Sequence, residues 1–303
     1  MTNRRNFLRN TAIGAGALVS GLAGKAAAST FSSASQEIRR GKQSFNMCGY
    51  AAPKLETVRV GFIGMGNRGP THVDSVSHLE GVEIKALCDV FPDRVEKAQK
   101  ILEKAGLPPA KGYSGSKEIW KEMCQDPDID LIYIVTPWAW HTPMAVYAME
   151  HGKHAVSEVP AAKTPDECWQ LVETSERTKK HFMMLENCCY DFFELLTLNM
   201  ARQGFFGEIV HGEGAYLHDL LEGNFSKTKY SDMWRLRENM QRNGNLYPTH
   251  GLGPVCQILN INRGDQMEYL TSMSSNDFQM GAMADELAAK NNFYKEFAGH
   301  KYR

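Results

Sequence analysis

The segment Gly64-Met65-Gly66-Asn67-Arg68-Gly69 follows an apolar run that begins at Val58, and it carries glycine at the three positions a phosphate-cradling turn needs. The first glycine permits the tight turn, the second lets the backbone approach a pyrophosphate, and the third lets the next helix pack close to the strand. That helix presents free N–H groups and a partial positive charge toward the phosphates. A second apolar run, Val82 to Cys88, ends in Asp89, about 20 residues past the loop, where an acid that binds a ribose hydroxyl belongs. The pattern predicts a nicotinamide dinucleotide site, with Asp89 as the argument for NAD over NADP.

Ligands of an open parallel sheet sit beyond the carboxyl ends of its strands. Those ends are read here as Gly64 to Arg68, Asp89, Thr136 to His141, Glu158 to Pro160 and Glu186 to Tyr190. Trp138 and Trp140 stand just past a buried strand, as a cofactor wall or as core aromatics. His211 and His218 have no carboxylate at metal-ligand spacing, and no metal site is expected.

The elements that must position these groups follow from periodicity. Helices are expected over Thr71–Leu79, Pro92–Ala105, Glu118–Cys124, His141–His151 and Pro165–Lys179, the last capped by Thr164. Strands are expected at Val82–Asp89, Ile129–Val135, Lys153–Ser157 and Phe182–Glu186. This alternation predicts an α/β fold: a Rossmann, doubly wound parallel sheet with right-handed crossovers. After Asp191 the pattern changes to a helix Phe192–Arg202, a strand Glu208–His218, an aperiodic stretch Ser226–Asn245, a helix Tyr247–Leu259 with Pro254 in its first turn, a strand Met267–Ser272 and a polar, weakly helical tail.

At 303 residues the chain is long enough for two domains. With 34 basic and 35 acidic residues the net charge is -1, which gives no field for nucleic acid and points to a small-molecule partner. The seven cysteines lack paired C-x-x-C spacing, and Cys88 and Cys188-Cys189, within or beside apolar runs, read as packing thiols. Residues 1–28 read as a twin-arginine export signal: Arg4-Arg5-Asn6-Phe7-Leu8, then a mildly apolar Gly/Ala-rich stretch, then Ala26-Ala27-Ala28. The apolar stretch is too short for a permanent membrane span, and the destination is the periplasm or cell surface. An N-terminal arm (29–56), an NAD-binding domain (57–187) and a substrate domain (188–303) complete the expected organisation.

The strand ends resemble those of the Gfo/Idh/MocA oxidoreductase group, in which a Rossmann domain precedes an α/β domain with an open, mixed sheet. The succession GMGNRG, CDV, TPWAWH, SEVP, ENCCYDF, GEGAYLHD, MWRLR and YPTHGLGP resembles glycoside hydrolase family 109, the NAD-dependent α-N-acetylgalactosaminidases. The wider group carries Glu-Lys-Pro where this chain has Glu158-Val159-Pro160, and the valine favours the narrower family. The resemblance implies NAD contacts at Gly64, Met65, Gly66, Asn67, Arg68, Asp89, Trp138, Ala139, Trp140, His141, Glu158, Val159 and Asn187. It implies a carbohydrate bound by Tyr216, Arg235, Tyr247, Pro248, Thr249 and His250, with His250 the first choice of base and Tyr247 its partner. Without the resemblance, His250 also reads as a helix cap and Arg235 as a surface arginine.

The implied reaction oxidises the sugar C3 hydroxyl, removes the acidified C2 proton, expels the aglycone, adds water and returns the hydride, with retention. It needs no flanking carboxylate pair, unlike ordinary glycosidases. Net oxidation of a free sugar or polyol, or a silent nucleotide-bound sugar-binding protein, are the alternatives. Members of the family continue past the position of Arg303, so the resemblance also implies that the C-terminal part of the second domain is missing here, together with a further tyrosine. A homo-oligomer formed through the second domain's sheet would fit the wider group.

Overall fold

The computed structural model describes residues 43–242 and 247–302. The export signal and the first part of the expected arm lie outside the described residues. Six strands form one sheet: β1 (Val58–Ile63), β2 (Val82–Asp89), β3 (Lys111–Ser114), β4 (Leu131–Ile134), β5 (His154–Ser157) and β6 (Phe182–Met184). Their order is β3-β2-β1-β4-β5-β6 and every neighbouring pair is parallel. The strand order reverses between β1 and β4, and ligands of such sheets sit beyond the strand ends at that reversal.

One helix crosses between each successive strand pair: α1 (Gly69–Ser77), α2 (Pro92–Lys104), α3 (Ile119–Gln125), α4 (His141–Glu150) and α5 (Pro165–Thr178). They cover the sheet in two layers. Phe62, Leu87, Val73, Ala98 and Leu102 form the core on the α1/α2 face, and Ile132, Ile134, Met123, Ala145 and Met149 form the core on the other. Burial on both faces is why these strands read as continuous apolar runs. The start of α5 is fixed by a capping box: Thr164 Oγ1 accepts from the Glu167 amide while Glu167 reaches back to the Thr164 amide.

The short β3 is absent from the sequence reading because Lys-Gly-Tyr-Ser has no apolar run. It is held by pairing with β2 and by Asp126, whose Oδ2 accepts the Tyr113 hydroxyl at 2.5 Å and Lys111 Nζ at 2.9 Å. The Tyr113 hydrogen bond, then the Asp128 amide and Lys111, hold the Asp126 carboxyl down to about 2. Because the folded value lies below the ordinary 3.8, this stabilisation is complete above 3.8 and is lost as pH falls through about 2. Asp126→Asn is therefore expected to cost on the order of 1 kcal/mol at neutral pH. Thermal unfolding at a series of pH values should show the gap to wild type closing in acid; a gap independent of pH would contradict the assignment.

Beyond β6 the chain is helical: α6 (Phe192–Arg202), α7 (Leu221–Asn224), α8 (Trp234–Gln241), α9 (Pro248–Ile258) and α10 (Met280–Lys290). Phe225, Met233, Leu236, Ala284, Phe297 and Tyr302 form a third core that joins α8 to α10 and the tail. The tail, polar by composition, thus buries Tyr294, Phe297 and Tyr302. The aperiodic stretch contains α8 because its buried face includes Arg235, Glu238 and Asn239, polar residues that a hydrophobic period does not register.

The strands expected over Glu208–His218 and Met267–Ser272 do not form. No ladder partner lies beside either run among the described residues, and Val210, Leu217, Tyr269 and Leu270 are 87%, 93%, 83% and 88% exposed. Alternation marks a run suited to a half-buried strand, but a strand exists only where a neighbour takes its backbone groups. The open, mixed second sheet is accordingly not formed among the described residues. Pro254 is also misplaced by the sequence reading: it lies inside α9, as its seventh residue, and not in the first turn. Lacking an N–H, it leaves the carbonyl of His250, four residues earlier, without its helical partner.

Candidate functional site

The glycine loop is built for close approach. Gly64 adopts φ +99°, and a Cβ there would lie 2.5 Å from the Val135 carbonyl oxygen at the end of β4. A Cβ on Gly69 would meet the Gly64 oxygen at 2.1 Å, so the first turn of α1 sits directly on the loop. Among the described residues the only near neighbour of a Cβ on Gly66 would be Arg94 Nη1 at 3.8 Å, which leaves that face open to a ligand. Met65 gives its side chain to the core and its amide to Asp89 Oδ2 at 2.8 Å. This cradle fits a pyrophosphate.

Asp89 ends β2 with a side chain only 5% exposed. Its Oδ1 accepts the Phe91 amide at 2.9 Å and faces Arg94 Nη1 at 3.6 Å. The carboxylate therefore stiffens the loop, and its charge opposes a ribose 2′-phosphate. Asn67 donates to the Lys229 carbonyl, and Arg68 is exposed with Nε 3.9 Å from Glu158.

Glu158, past β5, is bound by His72, whose other ring nitrogen lies 3.1 Å from the Tyr133 hydroxyl. Burial pushes the Glu158 carboxyl up, but the His72 hydrogen bond and the charges of His72 and Arg68 outweigh it and hold it below the usual range. Val159 is buried and offers no proton-transfer group.

After β4, Ala139 and Trp140 are exposed and Trp138 is buried. His141 is completely buried, with Nδ1 2.7 Å from the Pro160 carbonyl and Nε2 2.8 Å from that of Thr136. Burial lowers its proton affinity. The structure thus gives His141 the task of fastening the loop after β4 to the loop after β5. Asn187 is exposed just past β6.

The residues expected to bind a carbohydrate converge on the same strand ends. Trp138 Nε1 donates to the Tyr247 hydroxyl at 3.1 Å, and Trp234 packs edge-on against Trp138 at 4.9 Å. Arg235 is not a surface arginine: it is 8% exposed, donates to the Tyr230 and Tyr247 hydroxyls at 3.3 and 3.4 Å, and lies over the Tyr247 ring at 4.8 Å. Burial raises the Tyr247 hydroxyl's pKa against the opposing charge of Arg235. His250 stacks on Tyr247 with 5.1 Å between ring centroids at 7°, and Tyr216 lies 5.1 Å from both rings.

His250 is the third residue of α9 and caps nothing. Its Nδ1 lies 2.6 Å from Glu186 Oε1. Backbone contact keeps Tyr216 in place, since a Cβ on Gly214 would fall 2.2 Å from the Gly251 oxygen. Pro248 is exposed, and the Thr249 hydroxyl is buried without a partner among the described residues, a polar atom left for a ligand.

Glu186, Trp234 and Tyr230 were not singled out as site residues by the sequence. Glu186 stands at a strand end and Trp234 in the MWRLR string, which were the available signals; Tyr230 sits in the aperiodic stretch and carries none.

Residues 58–186 match the oxidoreductase family with an NAD-binding Rossmann fold, and residues 190–297 match the C-terminal domain of glycosyl hydrolase 109. A glycosyl hydrolase family 109 protein of Bacteroides thetaiotaomicron is 57% identical over 223 residues, 74% of this chain and 47% of the relative. An alpha-N-acetylgalactosaminidase of Bacteroides fragilis is 55% identical over 249 residues, 81% of this chain and 57% of the relative. The family 109 protein of Porphyromonas gingivalis is 58% identical over 223 residues, 74% and 47% of the two chains. The chain spans about half the length of the curated relatives it matches. An NAD-binding Rossmann domain followed by that C-terminal domain, with identity above half to such relatives, identifies the chain as belonging to glycoside hydrolase family 109.

Proposed function

We propose that this protein is a glycosidase of the α-N-acetylgalactosaminidase type that uses bound NAD within each turnover. The observation that carries the reading is the junction of the two halves of the chain: Trp138 at the end of β4 holds Tyr247, and Glu186 past β6 holds His250. An aromatic platform and a base thereby stand where a nicotinamide ring belongs. The name of the Bacteroides fragilis relative supports the substrate class.

When bound, NAD would supply a hydride acceptor for the sugar C3 carbon, with the C3 hydroxyl proton leaving to solvent, and would return the same hydride at the end of the turnover as the C3 oxygen regains a proton. The chain's own groups do the rest. Tyr216 and Tyr247 offer ring faces and hydroxyls to the sugar, while Arg235 and the Thr249 hydroxyl offer donors to its oxygens. His250 takes the C2 proton once the neighbouring C3 carbonyl has acidified it. Expulsion of the aglycone from C1 then leaves an unsaturated ketone, to which water adds at C1 as C2 regains a proton. Val159 provides no amine to take the hydroxyl proton in the oxidation step of an ordinary sugar dehydrogenase, and Lys163 is paired with Glu238 at 2.6 Å.

NAD-loaded protein given an aryl α-N-acetylgalactosaminide should release the phenol with no stoichiometric NADH. Absence of phenol with bound NAD confirmed would sink the reading, and steady NADH accumulation on a free sugar would replace it with a net oxidoreductase. Export through the twin-arginine pathway is part of the same proposal. Cell fractionation tests it, with periplasmic or surface protein expected and retention in the cytoplasm after Arg4-Arg5→Lys-Lys.

A further inference from the structure

Glu186 belongs to no part of the reaction described above, yet it is among the most buried ionisable groups of the site, with a side chain 6% exposed. Its Oε1 lies 2.6 Å from His250 Nδ1 and also accepts the Cys188 amide at 3.0 Å. Its Oε2 is buried and accepts no hydrogen bond among the described residues. A carboxylate kept in such a place needs an explanation beyond packing. The helix opposite makes room for it: a Cβ on Gly253 would lie 3.2 Å from Glu186 Cγ and 2.8 Å from Cys189 Sγ.

Two roles suit this geometry. Glu186, Cys188 and His250 place a carboxylate oxygen, a sulfur and a ring nitrogen within 4.8 Å of one another, a spacing compatible with a metal ion. Tetrahedral zinc, however, would hold its nitrogen and oxygen ligands about 3.3 Å apart, whereas the observed 2.6 Å is that of a direct charge-assisted hydrogen bond. Burial and the Glu186 charge push the Cys188 thiol up to about 11. The geometry favours the hydrogen bond.

An ionised carboxylate only accepts. Whichever proton lies between the two residues therefore belongs to His250 Nδ1, and the neutral ring must leave Nε2 with a free lone pair. Stacking on Tyr247 and the approach of Tyr216 fix the ring plane. We propose that Glu186 is the positioning residue of the site, holding His250 in the Nδ1–H tautomer so that Nε2 is the atom that takes the sugar proton. This rests on the reading of His250 as the base.

The test uses the NAD-bound protein with nitrogen-15 in its histidines. Long-range proton–nitrogen spectra should show His250 protonated at Nδ1 in wild type. Glu186→Gln keeps the shape but can turn its amide donor toward Nδ1, so the spectrum should move toward the Nε2–H form. On the aryl glycoside, kcat should fall about 10²- to 10⁴-fold, while KM changes less than threefold and bound NAD is retained. Glu186→Asp keeps the charge one methylene further away, and it should recover part of both the tautomer and the turnover.

A merely structural carboxylate would leave the tautomer unchanged in Glu186→Gln, and that result overturns the proposal. A shifted tautomer with undiminished turnover instead removes His250 as the base and leaves its orientation by Glu186 standing. The two failures are thus distinguishable.

Discussion

His250→Ala is expected to lower kcat on an aryl α-N-acetylgalactosaminide by about 10²- to 10⁴-fold, the range for loss of a positioned general base. NAD retention should be unchanged, because the imidazole touches none of the glycine loop, Asp89 or Glu158 and instead packs on Tyr216 and Tyr247. Truncation also takes from the buried Glu186 its 2.6 Å hydrogen bond to His250, so some loss of thermal stability should accompany it. Turnover equal to wild type in NAD-loaded His250→Ala would remove the imidazole from the chemistry altogether.

The second large effect concerns the cofactor. Gly69→Ala would drive a Cβ to 2.1 Å from the Gly64 carbonyl oxygen, a backbone atom that cannot rotate away. Either the loop or the first turn of α1 must move, and a cost of about 1–3 kcal/mol is expected for such overpacking. The protein should melt earlier and lose its co-purifying nucleotide. Gly66→Ala is the informative contrast: its Cβ has only Arg94 at 3.8 Å as a neighbour among the described residues, so the melting temperature should hold while nucleotide binding weakens. Equal loss of stability in both variants would mean that Gly66 serves the fold and not the ligand.

The contrast between the two halves of the chain explains what could be read from sequence. Strand β2 ends at Asp89 and the Thr164 cap opens α5, as the residues indicate, because a doubly buried parallel strand and a capping box each leave a local signature. The run 208–218 alternates as a strand does and 267–272 reads as one, but neither pairs with another strand among the described residues. Pairing is a property of two segments, and one-dimensional alternation cannot supply the second.

Side-chain roles divide in the same way. That Tyr247 and His250 face the strand ends follows from their place at the start of α9. Arg235 could not be seen as buried, since nothing local tells that Trp138, Tyr230 and Tyr247 will surround its guanidinium. His141, singled out with the tryptophans before it, serves the backbone instead: two carbonyls claim both of its nitrogens. Glu186 was legible only as a strand end, because its meaning comes from a histidine 64 residues away.

The central claim is that the glycosidic bond is broken by oxidation and elimination, and not by direct displacement at C1. Turnover of an aryl α-N-acetylgalactosaminide by NAD-loaded protein in deuterium oxide tests it most directly. Proton removal from C2 and its later return from solvent predict a released sugar carrying one carbon-bound deuterium, at C2. Phenol release accompanied by sugar with only its original carbon-bound hydrogens would contradict the account.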